Sequence, residues 1–176
     1  MTAPGPTVQQ VIERIYWEHR QGLYTLALAI TRRPDRAEDA VQDAFTRLWG
    51  SKARPEGDLV PYVFACVRNA AIDQMRRQDP AITGAESISI YNGLPASPED
   101  SAITAEEHRA LRQAVDALPE VQRETVVMKA YAGLTFEQMA LALGEPLQTV
   151  ASRYRRALER LGQHMTKGNG DVSHEQ

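Results

Sequence analysis

LPEVQRETVVMKAYAGLTFEQMALALGEPLQTVASRYRRALERL, residues 118–161, is the stretch from which the fold is read. Pro119 suits the first turn of a helix that runs to about Tyr131, and Gly133 breaks that helix. Thr135-Phe136-Glu137-Gln138 has the pattern of a capping box, in which the Thr hydroxyl and the Gln side chain each satisfy an otherwise orphaned backbone amide. The short helix opened there reaches Leu143. Gly144-Glu145-Pro146 is a turn, and a last helix runs from about Leu147 to Leu161. Short helix, tight turn with glycine, second helix: this is the helix-turn-helix plan.

The last helix sorts by face. Val150, Tyr154, Ala157, Leu158 and Leu161 fall on an inward stripe, and Gln148, Thr149, Ser152, Arg153, Arg155, Arg156 and Arg160 on an outward one. Residues 147–167 hold five basic side chains (Arg153, Arg155, Arg156, Arg160, Lys167) against one acidic, Glu159. The formal charge of the whole chain is −3, so the positive charge is concentrated on one helix. A helix fits the major groove; Gln, Ser and Thr offer short hydrogen bonds to base edges there, and Arg offers a bidentate contact to guanine or phosphate. A solvated charged face on an ordinary bundle helix is the competing reading. The cap, the turn and the basic face occurring together favour DNA.

Upstream, one helix carries Ile103, Leu111, Ala114, Val115 and Leu118, completing a four-helix module over residues 99–165. Residues 166–176 form a polar tail. Before the module lies a linker, residues 79–98, with Pro80, Gly84, Gly93, Pro95 and Pro98 among Ser and Thr. Between residues 79 and 108 the charged side chains are all acidic, and a solvated flexible tether accounts for them. Residues 1–78 form another helical unit. Val8, Val11, Ile12, Ile15, Leu23, Leu26 and Ile30 recur at helical spacing up to Arg33-Pro34. Asp35 is a candidate N-cap for a second helix with Ala37, Val41, Phe45, Leu48 and Trp49 inward. Residues 51–61 read as a loop. A third helix then runs to about Gln78 with Phe64, Val67, Ala71 and Met75 inward. The fold class is all-α: two small helical bundles joined by a flexible linker, the second containing the helix-turn-helix.

The single cysteine, Cys66, supports neither a disulfide framework nor a zinc pair; among apolar neighbours it reads as an inert thiol. The four histidines are scattered without ligand spacing, and the glycines form no phosphate-binding loop. No nucleophile, base and orienter constellation is visible, so an enzyme is disfavoured and neither cofactor nor metal is expected. The chain begins without a basic-then-apolar leader, and no run approaches the roughly 18 apolar residues of a membrane span. A cytoplasmic protein without membrane insertion is expected. An autonomous DNA binder is usually basic, because phosphate neutralisation supplies most of its affinity. A chain of charge −3 with one basic helix therefore points to binding alongside a larger partner.

The third helix of the first unit has a second stripe, Tyr62, Cys66, Asn69, Asp73 and Arg76, with Arg77 beside it. Aromatic, amide and guanidinium groups can hold unstacked bases; a solvated helix face explains the stripe about as well. The acidic cluster Glu38, Asp39 and Asp43 with Gln42 suits a protein partner better than a metal.

AEDAVQDAFTRLW (residues 37–49) followed by PYVFACVRNAAIDQMRR (residues 61–77) resembles region 2 of bacterial RNA polymerase sigma factors, and residues 118–161 resemble their region 4. The direct junction through one linker is similar to the ECF (extracytoplasmic function) class. The resemblance implies a non-catalytic protein that binds core RNA polymerase and directs it to promoters. It implies docking on the β′ clamp coiled coil through Asp39, Gln42, Asp43, Leu48 and Trp49, and a second contact with the β flap. It implies that Tyr62, Asn69, Asp73, Arg76 and Arg77 serve the single-stranded −10 element, with the loop at 51–61 helping to capture a flipped base. It implies that Lys129, Gln148, Thr149, Ser152, Arg153, Arg155 and Arg156 serve the −35 duplex. An anti-sigma factor is an expected further partner. Gln148 and Ala151 depart from the family's usual Gly and Lys at the recognition helix, and Tyr62-Val63 from its aromatic-leucine pair. These departures bear on which promoter is read.

A plain helix-turn-helix regulator is the first rival; it leaves the first three helices unexplained. A pure polymerase adaptor is another, and leaves the basic helix unexplained.

Overall fold

Thr7 opens the first helix, α1 (Val8–Thr31). Its hydroxyl accepts the Gln10 amide at 3.3 Å, and the Gln10 side chain accepts the Thr7 amide at 2.8 Å. The computed structural model describes residues 5–51, 57–77 and 105–170, with side chains in the last stretch described from 109 to 164. The linker at 79–98 and Ile103 lie outside the described residues, as do residues 52–56 of the 51–61 loop. Helix α1 ends at Arg32, whose backbone is left-handed at φ 57°. That conformation usually falls to Gly or Asn. Here the Arg32 side chain is anchored: it donates to the Asp116 carboxylate at 2.6 Å and to the Asp116 carbonyl at 3.0 Å.

Helix α2 runs Pro34–Gly50. Its N-cap is Arg33, two positions earlier than the expected Asp35, because Pro34 occupies the first helical position where its missing N–H costs nothing. Asp35 instead sits in the first turn and accepts from Arg33 Nη2 at 2.7 Å, where negative charge suits the helix dipole. Helix α3, Leu59–Arg76, begins before Pro61 and shortens the expected loop. A proline is tolerated in a first turn, and the Asp58 carboxylate caps the helix by accepting the Val60 amide at 2.9 Å. The three helices enclose a core of Leu23, Leu26, Phe45, Val63, Phe64 and Val67. Trp49, expected inward, is 47% exposed at the end of α2.

The second bundle is α4 (Ala105–Asp116), α5 (Glu120–Ala130), α6 (Phe136–Leu143) and α7 (Leu147–Gly170). Pro119 is the N-cap of α5, one residue before the expected first turn. The capping box at α6 forms as the sequence predicts. Thr135 Oγ1 accepts the Gln138 amide at 3.1 Å and Gln138 Oε1 accepts the Thr135 amide at 2.9 Å. Gly133 and Gly144 take φ of 68° and 66°, the left-handed conformations that bracket this helix. Helix α7 continues to Gly170, beyond the expected end near 161, so the first part of the expected polar tail is helical. Val150, Ala157 and Leu161 are buried, whereas Leu158, expected inward, is 46% exposed. Among the described residues all regular structure is helical, in agreement with the all-α reading.

Thr135→Ala is expected to lower stability by about 1 kcal/mol, because it removes one half of the reciprocal cap. Thermal denaturation of the variant against the parent checks this.

The bundles pack on one another. Helix α5 lies against α1, and α6 against α3. At the crossing, a Cβ placed on Gly22 of α1 would stand 2.8 Å from the Ala132 backbone, so only glycine permits this approach. Arg123, 7% exposed, donates from Nε to the Ala29 carbonyl at 3.0 Å and from Nη1 to the Leu118 carbonyl at 2.9 Å. Arg68 of α3 donates to Glu124 of α5 at 2.6 Å, with the Glu124 side chain 2% exposed. Asp58, which caps α3, also accepts from Gln138 Nε2 at 2.6 Å, so one glutamine joins the caps of α3 and α6. In α5 the run from Gln122 to Met128 is buried on every side, one side by its own bundle and the other by the neighbouring one.

Candidate nucleic-acid interface

The turn before α7 sets the direction of that helix. Arg153 donates to Glu145 at 2.5 Å, which ties the Gly144-Glu145-Pro146 turn to the second turn of α7. Phe136 meets Tyr154 edge-on, with ring centroids 5.6 Å apart, and fixes the angle between α6 and α7. With the helix held in this way, Gln148, Thr149, Arg155 and Arg156 are exposed along one side. Ser152 is half-buried and its hydroxyl donates to the Thr149 carbonyl at 3.0 Å.

Two of the residues expected at the −35 element hold the scaffold. Arg153 is engaged as described. Lys129 donates from Nζ to the Leu134 carbonyl at 3.0 Å, with its ammonium 5.1 Å from the centre of the Phe136 ring. It thereby closes the loop between α5 and α6.

On α3, Asn69, Arg76 and Arg77 are exposed, and Tyr62 is half-buried. Asp73 pairs with Arg47 of α2 at 3.7 Å, an exposed contact of small energetic weight. Arg76 lies in the last turn and Arg77 is the C-cap, where cations also complement the helix dipole. Cys66 sits on the same stripe, half-buried, and burial pushes its thiol pKa up, in keeping with an inert thiol.

On α2, Asp39 and Gln42 are exposed and Asp43 accepts from Gln74 Nε2 at 3.3 Å. Leu48 is 4% exposed and supports α2 from within the core. Beside this face lies a cleft of about 720 Å³ between α1 and α2, lined by Tyr16, Trp17, Tyr24, Phe45 and Trp49. Tyr16 meets both Trp17 and Phe45 edge-on, at 5.2 and 5.0 Å between centroids. Trp17 is 62% exposed with the Arg20 guanidinium 6.0 Å from its ring. Sequence reading did not single out Tyr16, Trp17 or Tyr24; a tryptophan off the apolar stripe of α1 was the available signal.

Among the described residues no three His, Cys, Asp or Glu side chains gather as a metal group, and no helix is long and apolar enough to cross a membrane. What the geometry provides is two exposed polar helix faces, α7 and α3, and an aromatic cleft flanked by carboxylates.

Residues 15–80 match the family Sigma-70 region 2, and residues 108–161 match Sigma-70, region 4. The ECF RNA polymerase sigma factor RpoE of Cereibacter sphaeroides is 30% identical over 136 residues, covering 74% of this chain and 72% of its own length. The chain belongs to the ECF sigma factors. The ECF sigma factor SigK of Mycolicibacterium vanbaalenii is 27% identical over 151 residues, 83% of this chain and 77% of its own. Among solved structures, the sigma factor RpoE of Bartonella quintana in complex with the anti-sigma factor NepR superposes with a TM-score of 0.69 at 25% identity. That match covers 90% of this chain and 98% of that one. CnrH in complex with the cytosolic domain of CnrY shares the fold at a TM-score of 0.63 and 19% identity, covering 90% of each chain. This sigma factor directs promoter-specific transcription initiation, and its partners are core RNA polymerase and promoter DNA. Helices α1–α3 carry the region 2 match and α4–α7 the region 4 match.

Proposed function

We propose that this sigma factor divides promoter reading between its two bundles. Residues 1–78 dock on polymerase and hold the −10 element as single strand; residues 99–165 read the −35 element as duplex; residues 79–98 join them. The observation that carries this reading is the exposed side of α7, where Gln148, Thr149, Arg155 and Arg156 follow directly on the capped α6 and its turn. In the major groove, the two guanidiniums contact guanine edges or phosphates while Gln148 and Thr149 meet bases near the helix start. Ser152 and Arg153 lie at the margin of that contact, and Lys129 shapes it from behind.

In region 2, Asn69 and Tyr62 receive an unstacked base while Arg76 and Arg77 hold phosphates and Asp73 orients Arg47 beside them. Trapping the base offsets an unstacking cost of a few kcal/mol. Asp39, Gln42, Asp43 and Trp49 present α2 to the β′ clamp coiled coil, Leu48 supporting them from the core, and region 4 meets the β flap. The polymerase supplies most phosphate neutralisation, which reconciles a net charge of −3 with DNA binding. The protein forms no covalent intermediate and works in the cytoplasm. An anti-sigma factor is a further partner, as for the Bartonella quintana RpoE named above.

Promoter elements of this class lie roughly 16–18 base pairs apart, which at about 3.4 Å per pair is on the order of 55–60 Å. The 20 linker residues reach about 66 Å at roughly 3.3 Å each, enough for both bundles to engage at once.

Run-off transcription with core polymerase on a genomic promoter library tests the proposal. Specific start-site selection dependent on the chain is the expected result; association with polymerase without selection contradicts it. Asn69→Ala is expected to slow promoter opening by about tenfold with little change in closed-complex affinity, the size of one lost base contact. Permanganate reactivity of the melted strand, read against a gel shift, separates the two steps. Equal loss of both removes Asn69 from the base-holding role.

A further inference from the structure

Helix α7 begins with an apolar side chain. Leu147 is its first residue and is 41% exposed, as Gln148 and Thr149 after it are also exposed. The Pro146 carbonyl accepts the Thr149 and Val150 amides at 2.9 and 3.2 Å, so the first turn is formed from its start and Leu147 is held in it. Ala151, half-buried, follows four residues on, which on a helix is the neighbouring position on the same side, about 5–6 Å away between Cβ atoms. Leu147 and Ala151 thus make an apolar strip along one edge of the polar face formed by Gln148, Ser152 and Arg155.

An exposed leucine is ordinary on a protein surface and by itself carries no argument. The place of this one does. Of the other exposed leucines of the bundle, Leu141 stands on α6 and Leu158 stands further along α7, about 16 Å away at 1.5 Å per residue. The start of the second helix of a helix-turn-helix is the part that meets base edges. Leu147 is therefore placed among groups that read the duplex, yet it offers neither donor nor acceptor. The base edges in the major groove are donors and acceptors with one apolar exception, the 5-methyl group of thymine. Against any other edge the leucine would strip water from a polar group and give it no partner, which disfavours the wrong base.

We propose that Leu147, with Ala151 beside it, is a specificity-determining residue of this sigma factor, and that its ligand is the 5-methyl group of a thymine in the −35 duplex. The inference rests on the −35 role proposed above for α7. Gln148, Arg155 and Arg156 read by hydrogen bonds, and Leu147 adds a contact that the methyl alone satisfies. Ala151 is short, so the strip stays open; a longer side chain there would cover the methyl's place.

Deoxyuridine supplies the test, because it lacks the methyl of thymidine and keeps the hydrogen-bonding groups of the pair. The probe is a promoter selected by the holoenzyme from the run-off library, with each −35 thymine on either strand replaced in turn by deoxyuridine. The readout is the closed-complex affinity of the sigma factor bound to core polymerase. Replacement at one position is expected to weaken binding about fourfold, the size of one buried methyl group. For Leu147→Ala the same replacement is expected to make no difference. Leu147→Gln is expected to move the preference at that position from thymine to adenine, because the glutamine amide pairs with adenine N6 and N7. Leu147 lies outside the buried stripe of Val150, Ala157 and Leu161, so both variants should keep the parent's helical circular dichroism.

A parent for which no −35 thymine can be told from deoxyuridine overturns the proposal. So does a Leu147→Ala chain that still distinguishes the two, or a Leu147→Gln chain that keeps the parent's preference. A parent holoenzyme with no preference among −35 sequences overturns the −35 reading of α7, and this inference with it; a preference indifferent to the methyl overturns the role of Leu147 alone.

Discussion

Reversing both Arg155 and Arg156 to Glu is expected to lower promoter-directed run-off by about two to four orders of magnitude while leaving polymerase binding intact. Each good Arg contact to a base is worth about 1–3 kcal/mol of discrimination, a tenfold change corresponds to about 1.4 kcal/mol, and the introduced carboxylates add repulsion from phosphate. Both residues are exposed on α7, away from its buried stripe of Val150, Ala157 and Leu161. The substitutions should therefore leave the fold unaltered, which circular dichroism checks. Co-purification with core polymerase, measured in parallel, separates loss of DNA reading from loss of docking. Undiminished transcription would turn α7 into a solvated bundle face and the chain into a polymerase adaptor.

Phe64→Ala is expected to cost about 3–5 kcal/mol. Phe64 is fully buried at the centre of the first bundle, with its ring edge-on to His19 at 5.7 Å between centroids. Truncation removes one of the two buried phenylalanine rings, Phe45 being the other, of a core that has few aromatics to replace it. Since about 1 kcal/mol moves the midpoint by roughly 2–4 °C in a chain of this size, the melting temperature should fall on the order of 10 °C. Because domain stabilities are commonly only about 5–15 kcal/mol, polymerase binding should weaken near 37 °C. A differential scan and a pull-down at two temperatures check both effects. A shift within a degree or two would mean that the site collapses around the lost ring.

The helix-turn-helix was legible because its signals are local. Thr135 and Gln138 can cap α6 whatever the rest of the chain does, and Gly133 and Gly144 supply left-handed backbone where the chain must turn. The inward stripe of α1 was legible for the same reason. The edges of α2 and α3 moved by a few positions because prolines at 34 and 61 enter first turns instead of ending loops. The roles of Lys129 and Arg153 were hidden, since their partners, the Leu134 carbonyl and Glu145, depend on how a loop closes. Leu158 fell on the expected stripe but meets solvent, because it stands at the margin of the covered face, to one side of the buried Val150, Ala157 and Leu161.

The packing of the bundles was not legible from periodicity. Arg123 and Glu124 interrupt the apolar face of α5 and read as solvent positions, but the neighbouring bundle covers them. The one sequence sign was that α5 has no clean polar side, with Thr125, Val126, Val127 and Met128 following directly on the charged pair.

A helix shared by two cores limits how such proteins can be recombined. Exchanging region 4 for that of a relative, to redirect the chain to another promoter, would carry a foreign α5 onto this α1. Unless the graft kept Arg123, Glu124 and a small residue opposite Gly22, the hybrid would gain a new reading head and lose its match to the rest of the molecule. The natural seam for a graft lies at the turn before α7, so that α5 and α6, which rest on α1 and α3, stay with their own partners.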